Sequence, residues 1–458
     1  MSYLFGILRI CGLSSSDKRI FRPESNNMRY VPLILMSLIM AAHHSRGGEP
    51  GLIGLWLTLP FALLLKRRWL DRAIQVVMLG GAVEWVLTIM RIVEVRQMMQ
   101  LPYTRMVLIL GFIALLTALS GLLLNTTGRR SRLPENDPLW PGLGAFLFAG
   151  LIMVSVQLNM EPAGLLLERF LYAGGWWELM LLAFYAGWLS DRLQDTRQIR
   201  KLRPKLWLMF SVIFFTQLIL GVMGFDKMLM TGKLHLPVPA IIAAGPLFRG
   251  GGYFMAILFS VSVLLVGPAW CSWLCYIGAW DDRFSRSLKK PDRLPPWRNK
   301  MRVAVLIAVM GTAFLLGRLG VSTFVAAWLA AGFGLVGVGL MVFWSRKRGH
   351  MTHCTAWCPM GWVATRMGKI SPWRLKITPA CTDCGACTPA CRFDALYPED
   401  VLRRQPGEAC TLCGDCLSNC PTGSIGINFP GMSPSRARMV FLMLVSAMHA
   451  AWIGVARL

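Results

Sequence analysis

Long apolar blocks separated by short polar ones run along the chain. A helix that crosses a bilayer needs roughly 20 mainly apolar residues. Blocks of that kind lie near residues 31–45, 51–65, 73–90, 106–124, 141–160, 171–190, 206–225, 251–276, 303–320, 322–344 and 439–456. They predict about eleven membrane helices, the first two short. No period-two alternation runs through them, so the spans are read as helices and not as a barrel. The sizeable soluble segment is 345–438, between the last two blocks. Stretches near Leu375–Ile377 and Ile425–Asn428 in it predict short strands. The expected fold is an all-α polytopic membrane bundle carrying a small α+β module. Four parts are read: a membrane module over 1–205, a second over 206–344, the soluble module over 345–438 and a closing span over 439–458. Leu202-Arg-Pro204-Lys and Lys290-Pro-Asp-Arg-Leu-Pro-Pro296 read as loop breakers. The segment Leu234-His235-Leu-Pro-Val-Pro, then Gly245-Pro-Leu-Phe-Arg249, reads as a folded outer loop.

Composition agrees. Of 458 residues, 55% are hydrophobic and only 16% charged, and the mean hydropathy is +0.51. Soluble domains carry about 25% charged residues. Disorder and a small disulfide scaffold are both excluded by this apolar content and length. The formal charge of +25 invites a nucleic-acid reading. Its distribution argues otherwise. With the N-terminus inside, the inner segments hold 38 of the 48 Lys and Arg residues. That is the positive-inside bias of a multi-pass protein of a bacterial inner membrane, with the soluble module cytoplasmic. No nucleic acid is needed, and the partner implied by the composition is the lipid bilayer. The N-terminus does not read as a signal peptide, and residues 3–13 are expected to form a short interfacial helix.

Ten of the 13 cysteines lie in 345–438. Eight form two runs, Cys381, Cys384, Cys387, Cys391 and Cys410, Cys413, Cys416, Cys420, in which each cysteine of the first recurs at one fixed offset in the second. This is C-x2-C-x2-C-x3-C twice, the spacing of bacterial two-cluster ferredoxins. Three thiolates on a tight loop reach one cubane, and the fourth leans to the other. The expected ligand sets are therefore Cys381, Cys384, Cys387 and Cys420 for one [4Fe-4S] cluster, and Cys410, Cys413, Cys416 and Cys391 for a second. Gly385 and Gly414 let backbone N–H groups approach sulfur. Pro421 follows the last Cys, whereas Arg392 stands after the first run. Zinc fits eight cysteines in this register poorly.

A further pair of motifs stands apart. Cys271-x3-Cys275-x2-Gly278 and Cys354-x3-Cys358-x2-Gly361 match position for position, each where a span reaches the basic side. A C-x3-C spacing on a helix puts both sulfurs on one face. Together the four thiols would hold a metal or a third iron–sulfur centre. They would otherwise form a reversible dithiol or serve as small buried hydrophobes. His353 is placed to supplement such a metal site. The lone Cys11 is expected to be inert.

Residues 206–430, with these motifs, resemble the NapH/NosR-type membrane polyferredoxins, a family that includes CcoG-like and YccM-like proteins. Two departures are Tyr276, where the family usually has Pro, and the segment 1–205, which replaces a flavin-bearing domain. No flavinylation motif is present, so no covalent FMN is implied. The resemblance implies electron transfer between the membrane quinone pool and a protein redox partner, as an electron-transfer component of quinol dehydrogenase type.

One span would anchor a ferredoxin, so the others suggest a bound quinone and a proton route. Ionisable groups inside spans are costly and are functional candidates. Glu84, Glu178 and His449 qualify near mid-span. Asp226, Lys233 and His235 lie at the outer end of the seventh block and in the loop beyond, and His235 suits a quinol proton. Each has a bland reading as a structural pair. Bis-His haem needs facing histidines from two spans; His43, His44, His235 and His449 all lie toward the outer half, but His43 and His44 are adjacent and no spaced pair recurs within one span, so haem is not expected. Two other functions compete with quinone-linked electron transfer. One is a reductase or regulator that supplies electrons for metalloenzyme cofactor maturation. The other is a transporter or sensor with an iron–sulfur control domain.

Overall fold

The computed structural model describes residues 30–64, 67–125, 139–160, 163–229 and 236–455. The expectations for residues 3–13, Cys11, Lys233 and His235 lie outside these. The chain divides into two compact units, Met1–Met40 with Gln75–Ser131, and Ala41–Ile74 with Arg132–Leu458.

Helix α1 (Val31–Gly47) opens the described chain, and α2 (Pro50–Thr58) follows, extended by a 3-10 turn to Leu64. Next come α3 (Arg68–Met98) and α4 (Thr104–Leu122). Within the first unit, Gln75 Nε2 donates to the Gly121 carbonyl at 3.2 Å, joining α3 to α4. Polar residues facing inward, Thr117 and Ser120, spend their hydroxyls on carbonyls of α4 itself.

The second unit holds the remaining elements. Helices α5 (Leu139–Asn159), α6 (Leu166–Phe170) and α7 (Gly174–Leu193) precede α8 (Thr196–Val222), which Asp195 caps by accepting from Arg197 N at 3.1 Å. After α8 come α9 (Ile241–Arg249), α10 (Phe254–Val266), α11 (Tyr276–Ser285), α12 (Arg298–Arg318) and α13 (Thr323–Gly339). The soluble module contributes α14 (Pro359–Met367), β1 (Arg374–Ile377), α15 (Pro398–Leu402), α16 (Asp415–Asn419) and β2 (Ile425–Asn428). Helix α17 (Pro434–Val455) closes the chain and packs on α5 and α7.

Each of the eleven apolar blocks falls mainly in helix among the described residues, and eight helices there are long and apolar enough to cross a membrane. The other three blocks form shorter or more polar helices. Helix α1 has 17 residues, the short end of the spanning range, and α2 has nine before its 3-10 extension. Helix α7 carries Glu178, Asp191 and Arg192, which lower its apolarity. Two loop readings also change. Pro204 lies inside α8, not in a loop. Hydrogen bonds from Arg200 and Arg203 to the soluble module hold that turn despite the missing N–H. Residues 241–249 form α9 and not a loop, ending at Gly250 with φ 68°, a left-handed turn that glycine accepts.

The two strands fall where the sequence placed them and pair antiparallel, Leu375 opposite Ile427 and Ile377 opposite Ile425. Their buried faces join a core that continues into the bundle through Trp373, whose ring packs on Phe441 of α17 at 5.3 Å. Its indole N–H donates to the Leu265 carbonyl at 2.8 Å. The soluble module is therefore seated on the membrane helices by both apolar packing and a directed bond.

Candidate metal centres

The two ferredoxin-type runs adopt one conformation twice. Asp383 and Leu412, at matching positions of the two runs, are both left-handed (φ 53° and 54°), as are Gly385 and Gly414 (φ 69° and 85°). Positive φ at alternate positions turns successive N–H groups to one side, which is what a thiolate cage needs. Each loop ends in a short helical turn, Thr388–Ala390 or α16, and the last cysteine follows it.

These last cysteines expose a signal missing from the sequence reading. Cys391 and Cys420 share φ/ψ near −79°/108° and −80°/110°. Cys275 and Cys358, at −80°/113° and −68°/117°, do the same. Each run thus ends in the same C-x3-C step as the membrane-edge motifs, closed by the same extended residue. Comparing the spacing Cys387–Cys391 with Cys271–Cys275 in the sequence would have revealed it.

Three groups of thiols result, and all twelve cysteines among the described residues are free. Cys391, Cys410, Cys413 and Cys416 line one pocket with Phe393 and Thr411. Burial pushes the Cys391, Cys410 and Cys413 thiols up to about 12. They keep their protons until a metal displaces them. Cys381, Cys384 and Cys420 neighbour Cys387; burial and these three groups raise its thiol above the ordinary range. Burial also acts on Cys420, but hydrogen bonds from Thr422, Ser424 and Ile425 outweigh it and hold that thiol below the ordinary range. Cys384 is exposed, so this group sits at the surface.

Cys271, Cys275, Cys354 and Cys358 line a third pocket with Arg302. The expected α-helical C-x3-C is corrected: both segments, Trp270–Leu274 and His353–Trp357, are π-helical turns. A π turn widens the helix and frees carbonyls, and such turns cluster at functional sites. Helix α8 meets the freed groups. Trp207 Nε1 donates to the Cys275 carbonyl at 2.8 Å and Ser211 Oγ to that of Tyr276 at 2.7 Å. The two copies are cross-linked, since Asp281 on α11 accepts from Cys354 N at 2.9 Å. Burial pushes the Asp281 carboxyl up to about 7 even so. The repeated glycines have a steric cause. A Cβ on Gly278 would lie 2.6 Å from the Trp207 ring and 3.0 Å from the Cys271 carbonyl. One on Gly361 would lie 2.8 Å from the Cys354 carbonyl and 3.1 Å from the Arg302 guanidinium.

Sequence reasoning missed a buried ionic network beside these pockets. Arg203 of α8 donates to both Asp415 oxygens (3.0 and 2.9 Å), to Asp282 (3.1 Å) and to the Ser272 carbonyl (3.1 Å). Arg286 completes it with Asp282 at 2.7 Å and Asp415 at 2.5 Å. Two cations and two anions balance. Burial opposes the Asp282 charge, but Arg203 and Arg286 hold its carboxyl below the usual range. The only sequence signal was a basic pair in an expected loop and an Asp-Asp step after the first C-x3-C.

The other expected residues scatter. Glu84 pairs with Arg91 at 2.9 Å on α3. Glu178 accepts from Leu167 N at 2.7 Å, tying α7 to α6. His449 is buried, with Nδ1 3.1 Å from the Trp273 carbonyl, and packs on Phe210. Asp226 begins a 3-10 turn after α8. His44 pairs with Glu49 at 2.6 Å. His353 is buried against Gly337 and is not among the residues that line the thiol pocket.

Among the described residues no three His, Cys, Asp or Glu side chains close in on one metal ion. A single zinc would draw four sulfurs to about 2.3 Å from one point. Groups of four thiols are the donor set of iron–sulfur clusters. The comparisons agree. A family model described as 4Fe-4S binding domain matches residues 248–295, a span that includes Cys271 and Cys275. The chain is 24% identical over 247 residues to the electron transport protein YccM of Escherichia coli K12, a match covering 49% of this chain and 65% of that protein. The chain thus spans just under two thirds of that relative's length. No solved structure matches. Together these findings bear out the resemblance to YccM-like 4Fe-4S proteins read from the motifs.

Proposed function

We propose that this chain is a membrane-embedded electron carrier that exchanges electrons between the quinone pool and a protein redox partner through three iron–sulfur centres. The observation that carries this reading is the continuity of the thiol pockets. The membrane-edge pocket and the Cys391, Cys410, Cys413, Cys416 pocket share Phe393 and Thr411 in their walls. Only Thr388, Pro389 and Ala390 separate Cys391 from Cys387 of the surface group. The three sets form a series from the membrane edge to exposed Cys384.

The proposed ligands are Cys381, Cys384, Cys387 and Cys420; Cys391, Cys410, Cys413 and Cys416; and Cys271, Cys275, Cys354 and Cys358. When bound, such clusters take up and release single electrons. The chain's own residues seat them, hold them close and shield them. Buried Arg302 places a positive charge beside the membrane-edge thiolates and offsets their charge. The 4Fe-4S domain match over 248–295 and the electron-transport relative support this assignment. The charge asymmetry, 38 of 48 basic residues on one side, supports a bacterial inner-membrane setting with the thiol module cytoplasmic.

Iron and sulfide analysis with redox-titrated EPR tests the reading. About 12 irons per chain are expected from three cubanes. Cys354→Ser should remove about four of them and one EPR component, leaving the ferredoxin signals. Iron near eight in the native chain, unchanged by Cys354→Ser, would overturn the third centre.

A further inference from the structure

A cleft in the second unit lies among α8, α9, α10 and the end of α17. Its volume is about 180 Å³. On the same scale a cavity of about 150 Å³ accepts benzene, so a six-membered ring fits. The walls are apolar side chains, Phe210, Phe214 and Leu258 among them, with few polar groups, chiefly Gln217, Arg249 and Tyr276. That is the make-up of a site for a largely apolar molecule with a polar head. The rim, at Arg249 and Gly252, is exposed, whereas the floor, at Trp270 and Leu274, is buried.

The floor gives the cleft its chemistry. Trp270 lines both this cleft and the membrane-edge thiol pocket. One indole thus separates a ring in the cleft from Cys271 and Cys275. Tyr276 supplies another part of the floor, stacked on Phe214 at 4.1 Å with the rings 9° apart. In the second copy of the motif the same position is Pro359, which offers no ring. The first copy therefore presents an aromatic surface where the cleft needs one.

We infer that this cleft binds the head group of an isoprenoid quinone, with Trp270 and Tyr276 as its floor and the membrane-edge thiol site as its electron partner. The inference rests on the quinone-linked reading above and assigns that exchange a place. Oxidising a quinol breaks both O–H bonds. Two electrons would pass one at a time past Trp270 to a centre held by Cys271, Cys275, Cys354 and Cys358, the first moving on toward the ferredoxin-type groups and the redox partner before the second arrives. The two protons leave to water through the exposed rim. Quinone reduction is the same exchange reversed. Glu84 and Glu178 are not among the residues lining the cleft, and His449 lies one layer behind it, against Phe210.

The test uses the full chain in lipid nanodiscs, reduced with dithionite and then mixed with decylubiquinone. Native protein should reoxidise rapidly, and Leu258→Trp, which fills the cleft, should slow this by roughly tenfold or more. Tyr276→Pro should slow it as well. Iron content and oxidation by ferricyanide, a water-soluble oxidant, should stay unchanged in both variants. A photoreactive azidoquinone on the native protein should label peptides from 207–222 and 254–276, in competition with decylubiquinone. An unchanged rate in Leu258→Trp, or labelling elsewhere, would overturn the location. A cleft filled by a lipid acyl chain gives that same outcome. If native clusters exchange no electrons with quinone or quinol in either direction, the quinone-linked reading itself fails.

Discussion

His350 shows how one buried side chain ties the thiol module to pH. It is 2% exposed and faces Arg392, Arg298, Asp292 and Asp394. Burial, aided by the two arginines, lowers its pKa from 6.5 to about 4. The unfolded chain then binds a proton that the folded chain refuses between these values. The His350 contribution to stability is full above pH 6.5, is lost as pH falls from 6.5 to 4, and levels off below that, a loss of up to about 3 kcal/mol. Asp394 and Asp281, whose carboxyls burial raises to about 6 and about 7, act with the opposite sign, so the histidine is read from the difference between native protein and His350→Gln. Thermal unfolding should show that difference changing between pH 7 and pH 4 in favour of the variant, and a difference independent of pH would refute the assignment. Little of this was legible in the sequence, because a histidine's partners come from distant segments. The cysteines were legible for the opposite reason: their spacing is local and their chemistry demands it.

At the scale of elements, the repeat C-x3-C-x2-G was visible, but the reason for its glycine was not. The sequence suggested two thiols on one α-helical face. The structure has a π turn, an extended cysteine, and a new helix that starts at once, α11 or α14. The glycine lets that helix pass against the turn it has just left. Gly361→Ala places a methyl 2.8 Å from the Cys354 carbonyl, which is backbone and cannot yield cheaply. A cost of about 1–3 kcal/mol follows from such overpacking. Iron analysis should show partial loss of the membrane-edge centre, with the ferredoxin EPR signals retained. Full occupancy in Gly361→Ala would show that the turn can shift. The strands near 375 and 425 were legible because alternation is also local. Pro204 was misleading because its helix is held by contacts to Asp415 and Asn419, far along the chain.

Across the whole molecule, the spans and the thiol module meet through Arg203, Asp282, Arg286 and Asp415. Asp415→Asn would leave buried Arg203 and half-buried Arg286 sharing one carboxylate. Breaking a buried pair in this way costs about 3–5 kcal/mol. Unfolding of the detergent-solubilised protein should show a clear fall in Tm, larger than for a break in the exposed Arg293–Glu399 pair, where the gain is at most about 1 kcal/mol. Equal Tm values for the two variants would remove the network from any stabilising role. Helices and thiols can be read from the sequence but this joint cannot, since nothing in either segment alone announces the other. The split origin of the membrane-edge site also bears on biogenesis. Cys271 and Cys275 emerge from the ribosome well before Cys354 and Cys358, and α12 and α13 lie between them. On the proposed ligand set, a centre there would need chain from both sides of those two helices, whereas each ferredoxin-type loop draws its thiols from one short stretch of chain.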